Sequence, residues 1–591
     1  MSLLRLAFAW QNASYFKTFS TTTFLYGAFF DAVTIALLSL PYALLSFPGS
    51  WKSKQIVKYV GKLYICLITI FILVLNTWDI AYFSYTQKRS SLSYFTHLLA
   101  GTETSSLAGE FLAEFWWLPI VFIALFYGLI RSFKSIQHYA PIDSWKSWVV
   151  YLFVLFGTFS LARGGFSLRP LSIIDATAMS SLEEAPLVLN TAFTVLKTSK
   201  FEDPQKVFYL NEKALKSYLP QTTWIQHKSL PERTNVVVII LESFGTVYSG
   251  PNSPMSFSPF LDSILDSGLF LDAAIANGRT SMDAVPSILA GIPSWQNESY
   301  ILSTFCTNQI DALPSVLKKK GYDCSFFHGA KTGSMNFDDF TKAIGIDQYY
   351  GMEQYNGPEA FDGNWGIWDH AMFPYFAKTL SSFKEPFFSS FFSLSSHHPY
   401  LLPEQYKDKV KKGPEPLCAT ISYTDISLKL FFKKAAQQPW YKNTLFVLVA
   451  DHVGPTRLAA NQTLAMRYRI PIGFYHPKVN LKKSYQHQIQ ASRVYQQIDI
   501  FPTILDLLGF NNEAFTFGTS LFQPQQGKKL VYENGNLISF FRNNHSMDVL
   551  AWNPAYKGKS NADFLKHIRP IQATYQDYQH RLLENRCCKG R

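Results

Sequence analysis

The chain has 591 residues, room for several domains at about 100–200 residues each. It carries 54 Lys and Arg against 42 Asp and Glu, a net charge of +12, yet only 16% of its residues are charged. Soluble chains usually carry about 25%, so the composition excludes a disordered or collagen-like protein and argues against a wholly soluble one. A nucleic-acid partner would need a dense basic stripe. None is present, and no nucleic-acid partner is expected.

The missing charge is concentrated near the N-terminus. Ala32–Trp51 is a 20-residue uncharged run, and Leu63–Trp78 is a second. Phe115–Ile130 and Ser147–Ala162 are shorter, apolar and aromatic. A membrane-spanning helix needs about 20 mostly apolar residues, which predicts four spans over about 27–49, 63–84, 112–131 and 147–164 in a bundle ending near residue 164. Residues 1–25 are too short for a clear fifth span, and no cleavable signal peptide is recognisable. Lys52, Lys54, Lys58 and Lys62 follow the first span, and Arg131, Lys134 and Lys146 follow the third. Lys and Arg mark cytoplasmic loops, so everything beyond the fourth span is expected outside the cell membrane. Asp31 and Asp79 fall within or at the edge of spans. A carboxylate there is either functional or a capping group.

A linker with a docking helix is expected over 165–233, opening with RGGFSLRP (163–170). Beyond it the pattern changes to strand–helix alternation. Val236–Leu241, Cys324–Phe327, Pro386–Leu394 and Leu445–Ala450 are continuous apolar runs of the kind found in strands buried on both faces. Helices at 259–266, 284–290, 313–320 and 502–508 alternate with them, three of them ending just before Gly268, Gly321 and Gly509. The predicted fold class is therefore an all-α transmembrane bundle followed, over 234–525, by an α/β domain with a mostly parallel central sheet flanked by helices. Residues 526–591 are expected to pack on that domain. Cys306 and Cys324 lie 18 apart in the outside portion, where a disulfide is permitted.

In parallel sheets ligands sit at the carboxyl ends of the strands. Here those ends carry Glu242, Asp451-His452, His328 and the Ser-Ser-His397-His398 turn. Glu242, Asp451 and His452 offer carboxylate oxygen and imidazole nitrogen, a donor set suited to manganese, zinc or iron. A hydroxyl nucleophile is expected in Asn277-Gly278-Arg279-Thr280-Ser281, which leaves a strand and opens a helix. A helix N-terminus is a natural phosphate site. His328 and His397, each after an aromatic strand, could move a proton to or from an alcohol.

At these residues the sequence resembles the lipoteichoic acid synthase-like membrane phosphotransferases of the alkaline phosphatase/sulfatase superfamily. The matching signatures run in order: NVVVIILESFG, SPFLDSILDSGLFLDAAIANGRTS, KKKGYDCSFFHGA, DGNWGIWD, SSHHPY, FVLVADHVG and QIDIFPTILDLLG, over about residues 165–525. The resemblance implies a divalent ion, manganese first with zinc or magnesium as alternatives, held by Glu242, Thr280, Asp451 and His452. It makes Thr280 the nucleophile, with Ser281 in reserve, and brings His328 and His397 to the phosphate or leaving group. It further implies a multi-pass cell-membrane enzyme that moves a phospholipid head group to a glycan or lipid acceptor. Phosphoglycerol is the first choice for that group and phosphoethanolamine the second. Hydrolysis on the same site, or an inactive regulatory protein, are the alternatives. Where those synthases carry a Trp and an Arg after their His-Gly pair, this chain has Met335 and Phe337, which puts the donor or acceptor in question. No CxPxR-type motif is present to make a sulfatase's formylglycine.

Overall fold

The computed structural model describes residues 1–589 apart from 14, 17–18, 46–53, 93–94, 96–114, 136–144, 200–205, 220–228, 457–462, 490–492, 511–513, 524–529, 534–535, 541–545 and 549–560. The expected loops around 46–53, 96–112 and 136–144, and parts of the expected linker and C-terminal extension, lie outside the described residues. The chain divides into two compact units, Met1–Asp203 with Leu302–Asn308, and Pro204–Ile301 with Gln309–Arg591.

The first unit is helical. Two of its helices are long and apolar enough to cross a membrane, Thr21–Leu44 and Tyr59–Phe83. The other two expected spans form helices at Trp117–Ser135 and Trp145–Arg163. Among the described residues their apolar parts run over Trp117–Leu129 and Trp148–Arg163. The N-terminal residues form a further helix, Ser2–Gln11. At about 1.5 Å per residue it is too short to span.

Asp31 and Asp79 are both buried and both paired within this unit. Arg5 makes a two-pronged bond to Asp31, Nη1 to Oδ2 at 2.6 Å and Nη2 to Oδ1 at 2.8 Å, and its Nε donates to Leu187 O. Asn190 Nδ2 donates to Asp31 Oδ1 at 3.1 Å, while Thr191 Oγ1 and the Ser90 amide donate to Asp79 Oδ2. The two carboxylates therefore fasten the short helices Ala185–Val188 and Thr191–Lys197 to the long ones. Removing one partner of a buried ion pair strands the other charge, at about 3–5 kcal/mol. Asp31→Ala is expected to lower the unfolding temperature of the detergent-solubilised chain markedly, and Arg5→Ala with Asp31→Ala together less than the two single losses added. A thermal melt of the three variants checks this.

The second unit is built on a seven-stranded sheet. Its strands are β1 (Asn235–Leu241), β2 (Leu269–Leu271), β4 (Asp323–His328), β5 (Gln348–Tyr350), β6 (Phe387–Phe392), β7 (Thr444–Ala450) and β8 (Ile472–Tyr475), in the order β2-β8-β7-β1-β6-β4-β5. The strand expected before the Asn277–Ser281 turn is split after Leu271, and its second part, β3 (Ala274–Ile275), pairs with β9 (Tyr495–Gln496) in a separate ribbon. The pairs β7-β1, β1-β6, β6-β4 and β4-β5 are parallel, while β8 runs antiparallel to both its neighbours. Every residue of β1, β6 and β7 is buried, including Ser389 of β6, whose hydroxyl pairs with that of Ser325 on β4. Helices Asp369–Leu380 and Pro416–Ala435 pack together, with Phe373 and Phe376 against Phe391 of β6. Helices Ser281–Ala290 and Ile500–Leu508 likewise pack on each other.

Four adjacent parallel strands in the order β7-β1-β6-β4 bring their carboxyl ends to one edge. Strands lie about 4.8 Å apart, and Leu241 is in register with Ala450. Glu242 and Asp451, the next residues of β1 and β7, thus emerge side by side. Cys306 and Cys324 are both free thiols, so the permitted disulfide is not formed. Cys324 Sγ points at Pro314 O, and burial pushes its thiol up to about 12.

Candidate active site

Glu242, Asp451 and His452 converge at the β1 and β7 ends, with one donor atom from each lying within 4.8 Å of the others. His452 Nε2 is 3.2 Å from Asp451 Oδ2 and 3.6 Å from Glu242 Oε1. Asp451 Oδ1 accepts from the amides of Ser243 (2.8 Å) and His452 (2.6 Å), which fixes the carboxylate. Glu242 Oε1 accepts from Ser243 Oγ at 2.7 Å. Ser243 itself sits at a φ of 65°, an uncommon conformation for a non-glycine residue that turns the chain sharply after Glu242.

The turn expected to hold the nucleophile contributes a fourth oxygen, and it comes from Ser281. Ser281 Oγ donates to Asp451 Oδ2 at 2.8 Å and lies 3.2 Å from Glu242 Oε2. Thr280, expected from the resemblance as both nucleophile and metal ligand, is turned away. Its backbone is extended as the helix N-cap, and its Oγ1 donates to Asp283 Oδ2 at 2.8 Å. The reason is local. An N-cap side chain turns toward its own helix's third residue, so the following residue is the first to project at the sheet edge. Asp283 holds the whole turn, because the Arg279 and Thr280 amides also reach Oδ2 while Ser294 and Ser299 hydroxyls donate to Oδ1. Gly278 permits this packing. A Cβ there would come within 2.3 Å of Asp283 Cβ.

His328 ends β4 fully buried, ringed by Phe337 and Phe392. Its Nδ1 faces Phe392 O at 3.4 Å, and its Nε2 is buried with no protein partner among the described residues. Burial holds its pKa down to about 4, so the ring is neutral near pH 7. His397 is part-exposed at the mouth, with Nδ1 2.9 Å from His398 O and its ring 4.3 Å from that of Trp365.

The electrostatics of the carboxylate pair are those of a cation site. Burial and the neighbouring Glu242 charge push Asp451 up to about 7. Burial would lower His452, but Asp451 and Glu242 outweigh it and raise the imidazole. Burial would raise Glu242, yet His452, His397 and the Ser243 hydrogen bond hold it below its usual value. Two buried carboxylates, an imidazole and a hydroxyl aimed at one point fit a divalent ion, whose charge would offset the repulsion.

Two residues that the sequence motifs contained without a role complete the frame. Gln497 is fully buried; its Nε2 donates to Ala450 O and Asp451 O (2.8 and 2.7 Å) and its Oε1 accepts from the Asn277 amide (2.9 Å). It ties the turn carrying Ser281 to the strand end carrying Asp451. Asp369 accepts from the Leu394 and Ser395 amides and from Thr424 Oγ1, and so fixes the start of the turn that carries His397. Only the Thr280-x-x-Asp283 spacing, a capping box, was a readable signal. Gln497→Leu would strand three buried backbone groups at about 1–3 kcal/mol each. It is expected to lower the melting temperature and to cut turnover about 10- to 100-fold, whereas Gln497→Glu keeps the bond to Asn277 but turns a buried carboxylate oxygen on two carbonyl oxygens and loses at least as much. Paired melts and rate measurements distinguish the two.

The family model described as Sulfatase matches residues 234–510. This stretch is similar to sulfatase domains. The chain is also similar to lipoteichoic acid synthases. The chain is 24% identical over 334 residues to the lipoteichoic acid synthase-like YvgJ of Bacillus subtilis, covering 52% of this chain and 53% of that protein. It is 26% identical over 472 residues to the lipoteichoic acid synthase of Staphylococcus aureus, covering 69% and 70%. The chain thus spans about half the length of the first curated relatives it matches. An alkaline phosphatase superfamily structure from Vibrio parahaemolyticus superposes with a TM-score of 0.51 at 20% identity, over 63% of this chain and 97% of that one. That likeness shows the shared α/β fold.

Proposed function

We propose that this chain is a membrane-anchored, metal-dependent phosphotransferase that moves a phospholipid head group, phosphoglycerol or else phosphoethanolamine, to a glycan or lipid hydroxyl. The observation that carries the reading is the Ser281 hydroxyl bonded to Asp451 and beside Glu242 at the head of a helix. The resemblance to lipoteichoic acid synthases supports the substrate class. The apolar helices and the Lys-rich loops support a cell-membrane location with the sulfatase domain on the outer face.

Manganese, zinc or magnesium held by Glu242, Asp451, His452 and Ser281 would supply positive charge for the phosphoryl oxygens and lower the pKa of the hydroxyl. Ser281 Oγ passes its proton to Asp451 Oδ2, the carboxylate oxygen it already faces, and attacks the phosphorus in line while the bond to the diacylglycerol oxygen breaks and His397 gives that oxygen its proton. The head-group phosphate is then esterified to Ser281. In the second step His397 takes the proton of an acceptor hydroxyl, the new P–O bond forms, and the bond to Ser281 Oγ breaks as Asp451 returns the proton to that oxygen. Neutral His328 lends its unpartnered Nε2 as a hydrogen-bond acceptor for a hydroxyl of the bound group. Gln497 and Asp283 keep Ser281 and Asp451 in reach.

Incubating the full chain with head-group-labelled phospholipid and a glycolipid acceptor tests this. Label appearing on the acceptor supports transfer. Release to water alone, with acceptor present, would make the protein a hydrolase on the same residues.

A further inference from the structure

Among the described residues of the second unit, the exposed large hydrophobic side chains are Phe208, Met255, Phe361, Trp365 and Leu401. Three of the five lie on two neighbouring loops at the mouth of the site. Phe361 and Trp365 belong to a tight hairpin closed by a bridge between Phe361 and Ile367. Asp362 Oδ1 accepts from the amides of Asn364 and Trp365 at 2.8 Å and of Gly366 at 3.0 Å. Gly366 seats the hairpin on Gly329, directly after His328, where a Cβ would lie 2.1 Å from Gly329 O. Trp365 Nε1 then donates to His398 O at 2.6 Å, joining the hairpin to the loop that carries His397 and, three residues on from His398, Leu401.

The same loop continues into a basic segment. Lys407, Lys409, Lys411 and Lys412 are exposed, against Glu404 and Asp408, and Lys331 is exposed two residues after Gly329. Aromatic and aliphatic side chains rimmed by lysine are the composition that settles at an anionic membrane interface. Phe361, Trp365 and Leu401 keep 45%, 37% and 40% of their surface exposed, apolar area that would gain by burial against a lipid surface.

We infer that the Phe361–Gly366 hairpin and the His398–Lys412 loop form a lip that docks on an anionic phospholipid surface at the mouth of the phosphoryl-transfer site. The inference rests on the lipid-donor reading above. It gives the lip a task that this reading needs: a head group must reach His397 while its acyl chains stay in the bilayer. Because Trp365 packs on His397, the lip and the proton-carrying ring share a wall, so a docked surface meets the site at the correct depth.

The test uses the full chain in proteoliposomes of phosphatidylethanolamine and phosphatidylglycerol, with bis-p-nitrophenyl phosphate as a water-soluble diester for comparison. Phe361→Ser with Leu401→Ser is expected to raise KM for the bilayer donor about ten-fold or more, with kcat and soluble-diester cleavage within about two-fold of the parent. Lys409→Gln with Lys412→Gln is expected to raise KM only in vesicles containing the anionic lipid. Unchanged KM for the bilayer donor in the Phe361/Leu401 variant would overturn the lip, as would an equal fall on both substrates. Failure of the parent protein to release any head group, while it cleaves the soluble diester, would instead sink the lipid-donor reading.

Discussion

Ser281→Ala is expected to reduce head-group release by at least about 10³-fold, while Thr280→Ala keeps most of it. The two hydroxyls are neighbours in sequence and opposite in surroundings. Ser281 Oγ lies 2.8 Å from Asp451 Oδ2, and Thr280 Oγ1 lies 2.8 Å from Asp283 Oδ2. Thr280→Ala removes a helix cap, a loss of about 1 kcal/mol, and leaves the Asp283 bonds to the turn's amides and to Ser294 and Ser299 in place. Its effect should therefore appear as a lower melting temperature and a modest rate loss. Ser281→Ala takes away the attacking oxygen and one donor to Asp451, with little effect on folding. Single-turnover rates and melts on both variants, measured side by side, check the pair. The reverse ranking would return the nucleophile to Thr280.

Asp451→Asn is expected to abolish saturable manganese binding and to lower turnover on the order of 10³-fold or more. Its effect on stability separates a cation site from a purely structural cluster. In the metal-free protein Asp451 is buried beside Glu242, and that proximity together with burial raises its carboxyl to about 7. A group whose folded pKa lies above its unfolded value costs stability as pH rises through the unfolded value, and the full cost is reached above the folded one. Above about pH 7 the metal-free parent therefore carries two repelling buried carboxylates, and Asp451→Asn relieves them. The variant should melt higher than the metal-free parent at pH 8. Added metal should raise the parent's melting temperature, by about 2.7 kcal/mol of stability at a hundred-fold excess over Kd, and leave the variant unmoved. A variant that melts lower without metal and still responds to it would count against Glu242, Asp451 and His452 as the ion's ligands.

The parts of the fold that were legible in the sequence are those whose physics is one-dimensional. Asn235–Leu241 and Thr444–Ala450 are buried on every residue, so they read as unbroken apolar runs, and the polar residues that end them, Glu242 and Asp451-His452, stand out. The metal-site geometry follows from strand order, and parallel pairing of β1 with β7 could be expected from strand–helix alternation alone. The choice between Thr280 and Ser281 was not legible. It depends on which residue caps the helix, a difference of one residue, and both carry the same functional group. The role of Gln497 was hidden for another reason: its three bonds reach Asn277, Ala450 and Asp451, which are distant in sequence. Asp31 and Asp79 were visible as charges in apolar helices, but their partners Arg5, Asn190 and Thr191 lie on other elements.

The central claim is that Ser281 carries the transferred group, and peptide mapping of the trapped adduct tests it most directly. The full chain is incubated with manganese and membrane phospholipid without an acceptor, quenched in acid, digested and sequenced by mass. The account predicts a head-group phosphate on Ser281, lost in Ser281→Ala and retained in Thr280→Ala. The same mass on Thr280, or no adduct while head group is still being released, would contradict it.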